Sequence, residues 1–479
     1  MGHAGNNGGV RRAVAVAAAW LSMFAMPLTA AAQDEKPAEF VPGPLVDYGQ
    51  KLYDLTIRDQ DPTAPNGYDA MMRISAILDE LNRDFAERYG GPDKKPEDWP
   101  ESVGYPIDFD ALTRPDTPEE SKRITREYMA RIEASGIPAE LRGLRDCRLF
   151  VRPKANGALI DVIRDEVGRG RKLVRYLKAH SADAAARGDW DAIVQHVADV
   201  RAIASALGRE PVLISHFVAI AMDTLAVQVI RDSVVMSEPD QKALIELGDR
   251  VGVELPYLSI ARAIDGEHLW YLDISQCVHD ANGRFASAEL ERLAETKGQL
   301  PFPQAALALM PDRAASDAMA AQVYARLGEV AQLPRRNRPR TPDGRIELGI
   351  LRPQTFVVVG AALANVDNVC SAPDRHSVQL NAALLIIALE RCRLARGRYP
   401  EKLDELVPEF LPGVPEDPYF EKGFVYERGD DPAAKGTYTL YSVGDDGEDN
   451  GGLRAEHEHD ALVPAGKGTD FVFMPPASK

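Results

Sequence analysis

The stretch that decides the fold opens with Gly397-Arg398-Tyr399-Pro400 and runs through Tyr438-Thr439-Leu440-Tyr441-Ser442-Val443-Gly444-Asp445-Asp446-Gly447 to Gly451-Gly452. Before Gly397 the apolar residues recur at helical spacing, and after Pro400 they alternate as in a strand. Glycine suits the left-handed position that ends a helix, and proline prevents the helix from continuing. The stretch therefore predicts a long helix followed by a small antiparallel sheet.

Working outward, this α+β unit is expected to cover residues 346–479. The predicted elements are a long helix, a short helix and three strands, at Ser377–Arg396, Glu401–Val407, Phe424–Tyr426, Tyr438–Tyr441 and Phe471–Phe473. The first helix has apolar residues along one face and is apolar all round in its middle, so we expect it to be buried on most sides.

Residues 46–333 show apolar residues three and four apart with few β-branched alternations, which predicts an α-helical domain. Its clearest part is a helical hairpin that follows Gly188. Asp189 caps the first helix, which runs to about Leu207 and is ended by Gly208, and Pro211 opens the second helix, which runs to about Val235. No repeat period is sustained, so the prediction is an irregular α-helical bundle. Residues 334–345 form a basic, Pro-rich linker whose arginines either stay solvated or contact an anionic partner.

The first residues have the composition of an export signal. Arg11 and Arg12 precede the apolar run Ala13–Thr29, and Ala30-Ala31-Ala32 fits a cleavage site. We expect residues 1–32 to be a signal peptide, residues 33–45 to be a flexible lead, and the protein to be periplasmic or extracellular. The alternative is an uncleaved membrane anchor.

The composition limits the partners. The chain has 479 residues, enough for two or more domains, with 73 acidic against 56 basic residues and a net charge of −17. This excess disfavours nucleic acid, which needs a basic surface. After the signal, no uninterrupted apolar run is long enough for a transmembrane segment; the nearest, Val212–Ile230, contains His216 and Asp223 and is expected to be a buried helix. The four cysteines, at positions that match no zinc motif, are either disulfide-bonded or separate thiols: Cys147, Cys277, Cys370 and Cys392.

The order of motifs from about residue 375 to 473 resembles the soluble C-terminal domain of the major pseudopilin of type II secretion systems. The residues that match are Gly397, Tyr399, Pro400, Leu403, Leu406, Pro415, Asp417, Pro418, Tyr426, Tyr441, Ser442, Gly444, Asp446, Gly447, Gly451 and Gly452. A pseudopilin, however, begins with a short leader and a hydrophobic polymerising helix. Here the similar domain follows an ordinary signal and a long helical region, so assembly into a pseudopilus of the usual kind is not expected.

The resemblance implies a structural calcium ion in the acidic loop. Its pattern places ligands on Asp446, on the carbonyl of Val443 and on Asp470, with Asp449 as the alternative to Asp470. Calcium takes six to eight oxygens, and glycines let a turn fold around the ion. Residues 453–468 are an insertion relative to the family loop. The alternative interpretation is a solvated acidic turn.

Other chemistry is sparse in the sequence. Glu267, His268 and His279 form the densest acid and imidazole group of the helical domain, and Glu456-His457-Glu458-His459-Asp460 is a possible transition-metal stretch. His196 and His216 lie on neighbouring predicted helices and could face each other. The leading hypothesis is a non-enzymatic envelope protein that binds protein partners, associated with type II secretion or a pilus-like assembly. The alternatives are a periplasmic enzyme and a cell-surface structural protein.

Overall fold

The chain is mostly helical, with one small sheet. This computed structural model describes residues 41, 45–89, 109–112, 117–154, 157–159, 165–253, 255, 259–286, 288–289, 292, 311–342, 344–350, 366–454 and 468–474. The expected signal peptide (1–32), most of the lead and the stretch Glu456–Asp460 lie outside the described residues.

The described helices, in chain order, are α1 (Tyr48–Ile57), α2 (Gly67–Tyr89), α3 (Glu119–Glu133), α4 (Ile137–Arg145), α5 (Asp165–Ala186), α6 (Trp190–Gly208), α7 (Leu213–Met236), α8 (Gln241–Val251), α9 (Ile260–Val278), α10 (Arg313–Gln332) and α11 (Val366–Arg396). The strands are β1 (Val425–Arg428), β2 (Tyr438–Ser442) and β3 (Phe471–Met474), joined in the antiparallel order β1-β2-β3. The prediction of a mostly α chain with a small antiparallel sheet is confirmed.

Helix α5 and the hairpin of α6 and α7 form close to where the sequence predicts them, although α7 begins at Leu213, two residues after Pro211. Gly188 has a φ of 68°, and the Asp189 side chain accepts a hydrogen bond from the backbone N–H of Ala192 at 3.1 Å, which caps α6. Helix α7 packs on both α5 and α6. At Gly170 a Cβ would lie 2.9 Å from Leu207 Cδ1, so this glycine permits the close approach of α5 to α6.

Helix α7 is the apolar helix anticipated in the sequence. Within the described ranges it is the one helix whose length and composition would suit a membrane crossing, and 72% of its most apolar window is buried inside the protein. Its neighbours are α5, α6, α9 and α11. A core helix of a folded domain meets the same length and composition criteria, and this burial agrees with the expectation of a buried helix.

Helix α11 joins the two expected domains. It is longer than predicted, beginning at Val366 and including Pro373. Gly397, with a φ of 71°, follows its last residue, and the short predicted helix is a 3₁₀ turn at Leu403–Leu406. Helix α11 packs against α7 and α8 as well as against β2.

The hydrophobic core is therefore shared by the two expected domains. One cluster of buried residues contains Ile230 of α7, Leu247 of α8, Ile386 of α11 and Phe473 of β3. The domain boundary at residues 334–345 remains a prediction, but the core passes across it through α11. The small sheet is consequently held on the helical bundle rather than on a free tether.

The basic linker is folded against the chain's own acidic groups. Arg338 is 7% exposed and donates to both carboxylate oxygens of Asp374, at 2.5 and 2.9 Å. Arg335 forms an ion pair with Asp445 at 2.9 Å. The anionic partner of these two arginines is thus intramolecular, and neither is part of a solvated connector.

Candidate functional site

The acidic loop between β2 and β3 contains the four residues expected to bind calcium. Strand β2 ends at Ser442, and Val443 after it is fully buried. Gly444 and Gly447 have φ values of 75° and 71°, so the backbone turns back through conformations that glycine adopts most readily. The loop therefore begins from a fixed point in the core.

The carboxylates of Asp446 and Asp449 hold the loop together by hydrogen bonds. Asp446 accepts from the backbone N–H of Glu448 at 3.1 Å and from that of Gly468 at 2.7 Å. Asp449 accepts from the hydroxyl of Tyr441 at 2.9 Å and from the backbone N–H of Gly451 at 3.0 Å. Asp446 thereby ties the start of the loop to the residues just before β3.

Asp470 closes the loop from the other side. It is fully buried, and its two carboxylate oxygens accept from the backbone N–H groups of Asn450 and Gly452 at 3.3 and 2.7 Å. Its own N–H donates to the carbonyl of Leu453 at 2.7 Å. Both ends of the expected insertion, at Leu453 and Gly468, are therefore hydrogen-bonded to aspartates of the loop.

The four predicted residues thus lie in one closed loop. The atoms that they could offer as ligands are all oxygens, the atom type that calcium binds. The carboxylates of the three aspartates, however, accept backbone N–H groups. No three His, Cys, Asp or Glu side chains in the described parts of the chain are arranged to hold a metal ion. Calcium at this loop remains a proposal that rests on the loop's sequence.

A buried network beside the loop connects it to the linker. Arg335 lies over the ring of Tyr419 at 4.6 Å and donates to the carbonyl of Asp445 at 2.9 Å. Burial raises the pKa of Asp374, against the opposing effect of its hydrogen bonds with Arg338. The loop is consequently fixed to residues that precede α11.

The three side chains of the enzyme hypothesis point to different neighbours. Glu267 accepts from the backbone N–H of Leu213 at 3.3 Å, at the start of α7. His268 stacks on Tyr324 with ring centroids 5.0 Å apart, and His279 Nδ1 lies 2.7 Å from the carbonyl of Ser275. The structure does not bring Glu267, His268 and His279 together.

Gly266, which precedes Glu267, has a steric role. A Cβ at Gly266 would lie 1.5 Å from the carbonyl oxygen of Pro211, so α9 approaches the backbone before α7 as closely as a residue without a side chain allows. The polar residues that follow Gly266 therefore lie where α9 crosses the segment before α7.

The possibility that His196 and His216 face each other is not realised, and both histidines lie buried in the core. His196 Nε2 lies 3.0 Å from His180 Nδ1, and its Nδ1 lies 3.1 Å from the hydroxyl of Ser181. Burial, and then the neighbouring His180, lower the pKa of His196 to about 3. Helix α6 turns this histidine toward α5, whereas His216 faces α11.

The contact between α7 and α11 contains charged residues that the sequence analysis did not connect. Asp223 is fully buried and accepts from Arg201 Nε at 2.9 Å and from His376 Nε2 at 2.8 Å. Burial alone would raise the pKa of Asp223, but the hydrogen bond with His376 and the charge of Arg201 lower it. His216 is 1% exposed in the same region, and burial lowers its pKa to about 4, with His376 contributing.

A second buried network anchors the motif from which the fold was read. The Tyr399 hydroxyl donates to Glu390, which is fully buried and also accepts from Arg393 Nε at 2.9 Å. Arg393 also pairs with Glu238, just beyond α7. Burial raises the pKa of Glu390 despite these donors. The network fastens α11 to the helical domain on one side and to Tyr399 on the other.

Comparison with other proteins does not add to this description. No protein-family model, no curated protein and no solved structure matches the chain.

Proposed function

We propose that this chain is a non-enzymatic protein of the cell envelope, exported by its N-terminal signal, that binds protein partners of a type II secretion or pilus-like assembly. The observation that supports it best is the order of elements after residue 366. A long helix, a 3₁₀ turn and the sheet β1-β2-β3 follow one another, as the pseudopilin resemblance implies. The helical domain supplies a rigid base for this unit.

Site-specific cross-linking in the envelope tests the partner class. A photoreactive residue replaces Glu427, which is exposed on β1, and a second chain has it at Arg123 on α3 as the matched control in the helical domain. We expect Glu427 to cross-link to a secretion or pilus subunit. Cross-links to the chain itself alone, or to a surface-layer component, would favour the cell-surface structural alternative.

The proposal includes calcium as a structural ion of the acidic loop, through Val443, Asp446, Asp449 and Asp470. An ion there would neutralise the carboxylates and stiffen the turn. Chelation should then lower the melting temperature of the wild-type chain, and Asp446→Ala should abolish that sensitivity. Asp404→Ala, an exposed carboxylate in the 3₁₀ turn, is the control and should retain it. A melting curve unchanged by chelator would remove calcium and leave the partner hypothesis standing.

A further inference from the structure

The buried contact between α7 and α11 contains one carboxylate and three groups that are or can become cations. Arg201 of α6 donates to Asp223 through Nε, and its Nη2 donates to the carbonyl of Val253 at 2.9 Å, beyond α8. His376 of α11 donates to the same carboxylate. His216 lies on α7 two turns before Asp223, so the two share a face.

The charges of Arg201 and Asp223 balance each other in this contact. His376 donates to the same carboxylate. A proton on His216 would add a further buried cation, and among the described residues the charged groups that act on His216 include no carboxylate. Burying an uncompensated charge is costly, so protonation favours an arrangement in which water reaches the ring.

The surroundings of His216 in this contact do not accommodate an added proton. Only 1% of it is exposed, and neither ring nitrogen has a hydrogen-bond partner among the described residues. A protonated ring would have two N–H donors with no acceptor, whereas an opened contact supplies water to both. His376 differs, since its side chain is 12% exposed and its Nε2 lies 2.8 Å from Asp223.

The position of His216 and Asp223 determines which helices an opening of the contact would separate. The charged groups that act on His216 and Asp223, across the elements packed here, are Arg201 from α6 and His376 from α11. Helix α8 contributes the carbonyl of Arg250, which accepts from Arg201 Nη1. Opening this contact separates α11 from α7 and leaves the distant packing of α2 with α3 and α4 intact.

We propose that the contact of α7 with α11 is an acid-sensitive switch, closed when His216 is neutral and opened by its protonation. Acidification would then loosen the small sheet from the helical bundle and expose the faces of α7 and α11 to partners. The inference depends on neither the partner class nor calcium.

The sign follows from the direction of the His216 pKa. Burial, and then His376, lower it from 6.5 to about 4 in the folded chain. The stability from neutral His216 is fully present above the unfolded value and is lost as the pH falls through that window. For this histidine alone, the population of the open contact should rise about thirtyfold between pH 6.5 and about pH 4.5.

Hydrogen exchange of the full chain, corrected for intrinsic rates, tests the proposal. Exchange in α7 and α11 should increase on acidification while α2 remains protected. His216→Leu, which fills the space without titrating, should remove most of the increase. His376→Gln, which keeps an N–H donor for Asp223, should by itself leave most of the increase in place. His268→Leu is the control, a histidine on α9 whose loss should leave the profile unchanged.

Two outcomes overturn the proposal. One is a His216→Leu chain with the wild-type pH profile in α11, and the other is simultaneous loss of protection in α2 and α11. If His216→Leu does not fold, His216→Gln, which also does not titrate, decides: a profile without the acid-induced increase supports the switch, and the wild-type profile overturns it.

Discussion

Removing one hydroxyl, in Tyr399→Phe, should weaken the anchor of the small sheet. The ring is fully buried and keeps its edge contact with Tyr438, at 4.7 Å between centroids, so the packing is unchanged. The hydroxyl donates to Glu390 and accepts from the N–H of Gly436 at 2.9 Å. A hydrogen bond to a charged group contributes about 1.5–3 kcal/mol, and the Gly436 N–H loses its acceptor as well. We expect a loss of about 2–4 kcal/mol in the free energy of unfolding.

The loss should depend on pH. Burial already raises the pKa of Glu390, and removing a donor that favours its ionised form raises it further. A carboxyl whose folded pKa is raised binds protons more readily in the folded state, so folding recovers stability as the pH falls. The deficit of Tyr399→Phe should therefore shrink as the pH falls toward the ordinary pKa of a glutamate.

Urea unfolding, followed by tryptophan fluorescence and by far-ultraviolet circular dichroism, measures both effects. The matched control is Tyr426→Phe, whose hydroxyl donates to the neutral carbonyl of Pro400 at 2.9 Å and should cost about 0.5–1.5 kcal/mol at any pH. A Tyr399→Phe deficit no larger than that of the control, or one that grows toward acid pH, would refute the role assigned to Glu390.

Three further substitutions test separate contacts. Gly266→Ala places a Cβ against the Pro211 carbonyl and should destabilise the fold by about 3 kcal/mol or more, measured by urea unfolding; a change below about 0.5 kcal/mol would contradict the close crossing. Arg338→Met removes the bidentate partner of buried Asp374, keeps the longer ion pair with Arg335 at 3.9 Å, and should cost about 3 kcal/mol, most of it recovered in Arg338→Met/Asp374→Leu if the pair is the cause. Asp470→Ala removes the acceptor of two backbone N–H groups and should raise proteolysis within residues 443–453, and an unchanged cleavage rate would show that the loop is closed by other contacts.

Local patterns made the hairpin and the C-terminal elements predictable. Gly188, Asp189 and Gly397 act through their own backbone and capping chemistry, so their roles follow from a few neighbouring residues. The start of α11 was missed because Pro373 discourages a helix through it, yet the helix passes through this residue. Packing against α7 and α8 accompanies that longer helix.

Long-range pairing was not predictable from these patterns. Asp223 and His376 lie 153 positions apart, and no periodicity relates a residue of α7 to one of α11. Likewise the basic linker gives no sign that Arg338 is buried against Asp374, because arginine is usually exposed. In the acidic loop the sequence located the residues, but their hydrogen bonds depend on how the chain returns at β3.

The position of α11 determines which surfaces of the small sheet can meet another protein. One side of this helix packs on α7 and α8. Among the described residues of the small sheet and its acidic loop, Glu427 on the outer strand β1 and Leu453 are exposed. An incoming protein would therefore meet the edge of a sheet, where backbone groups of β1 can pair with an added strand.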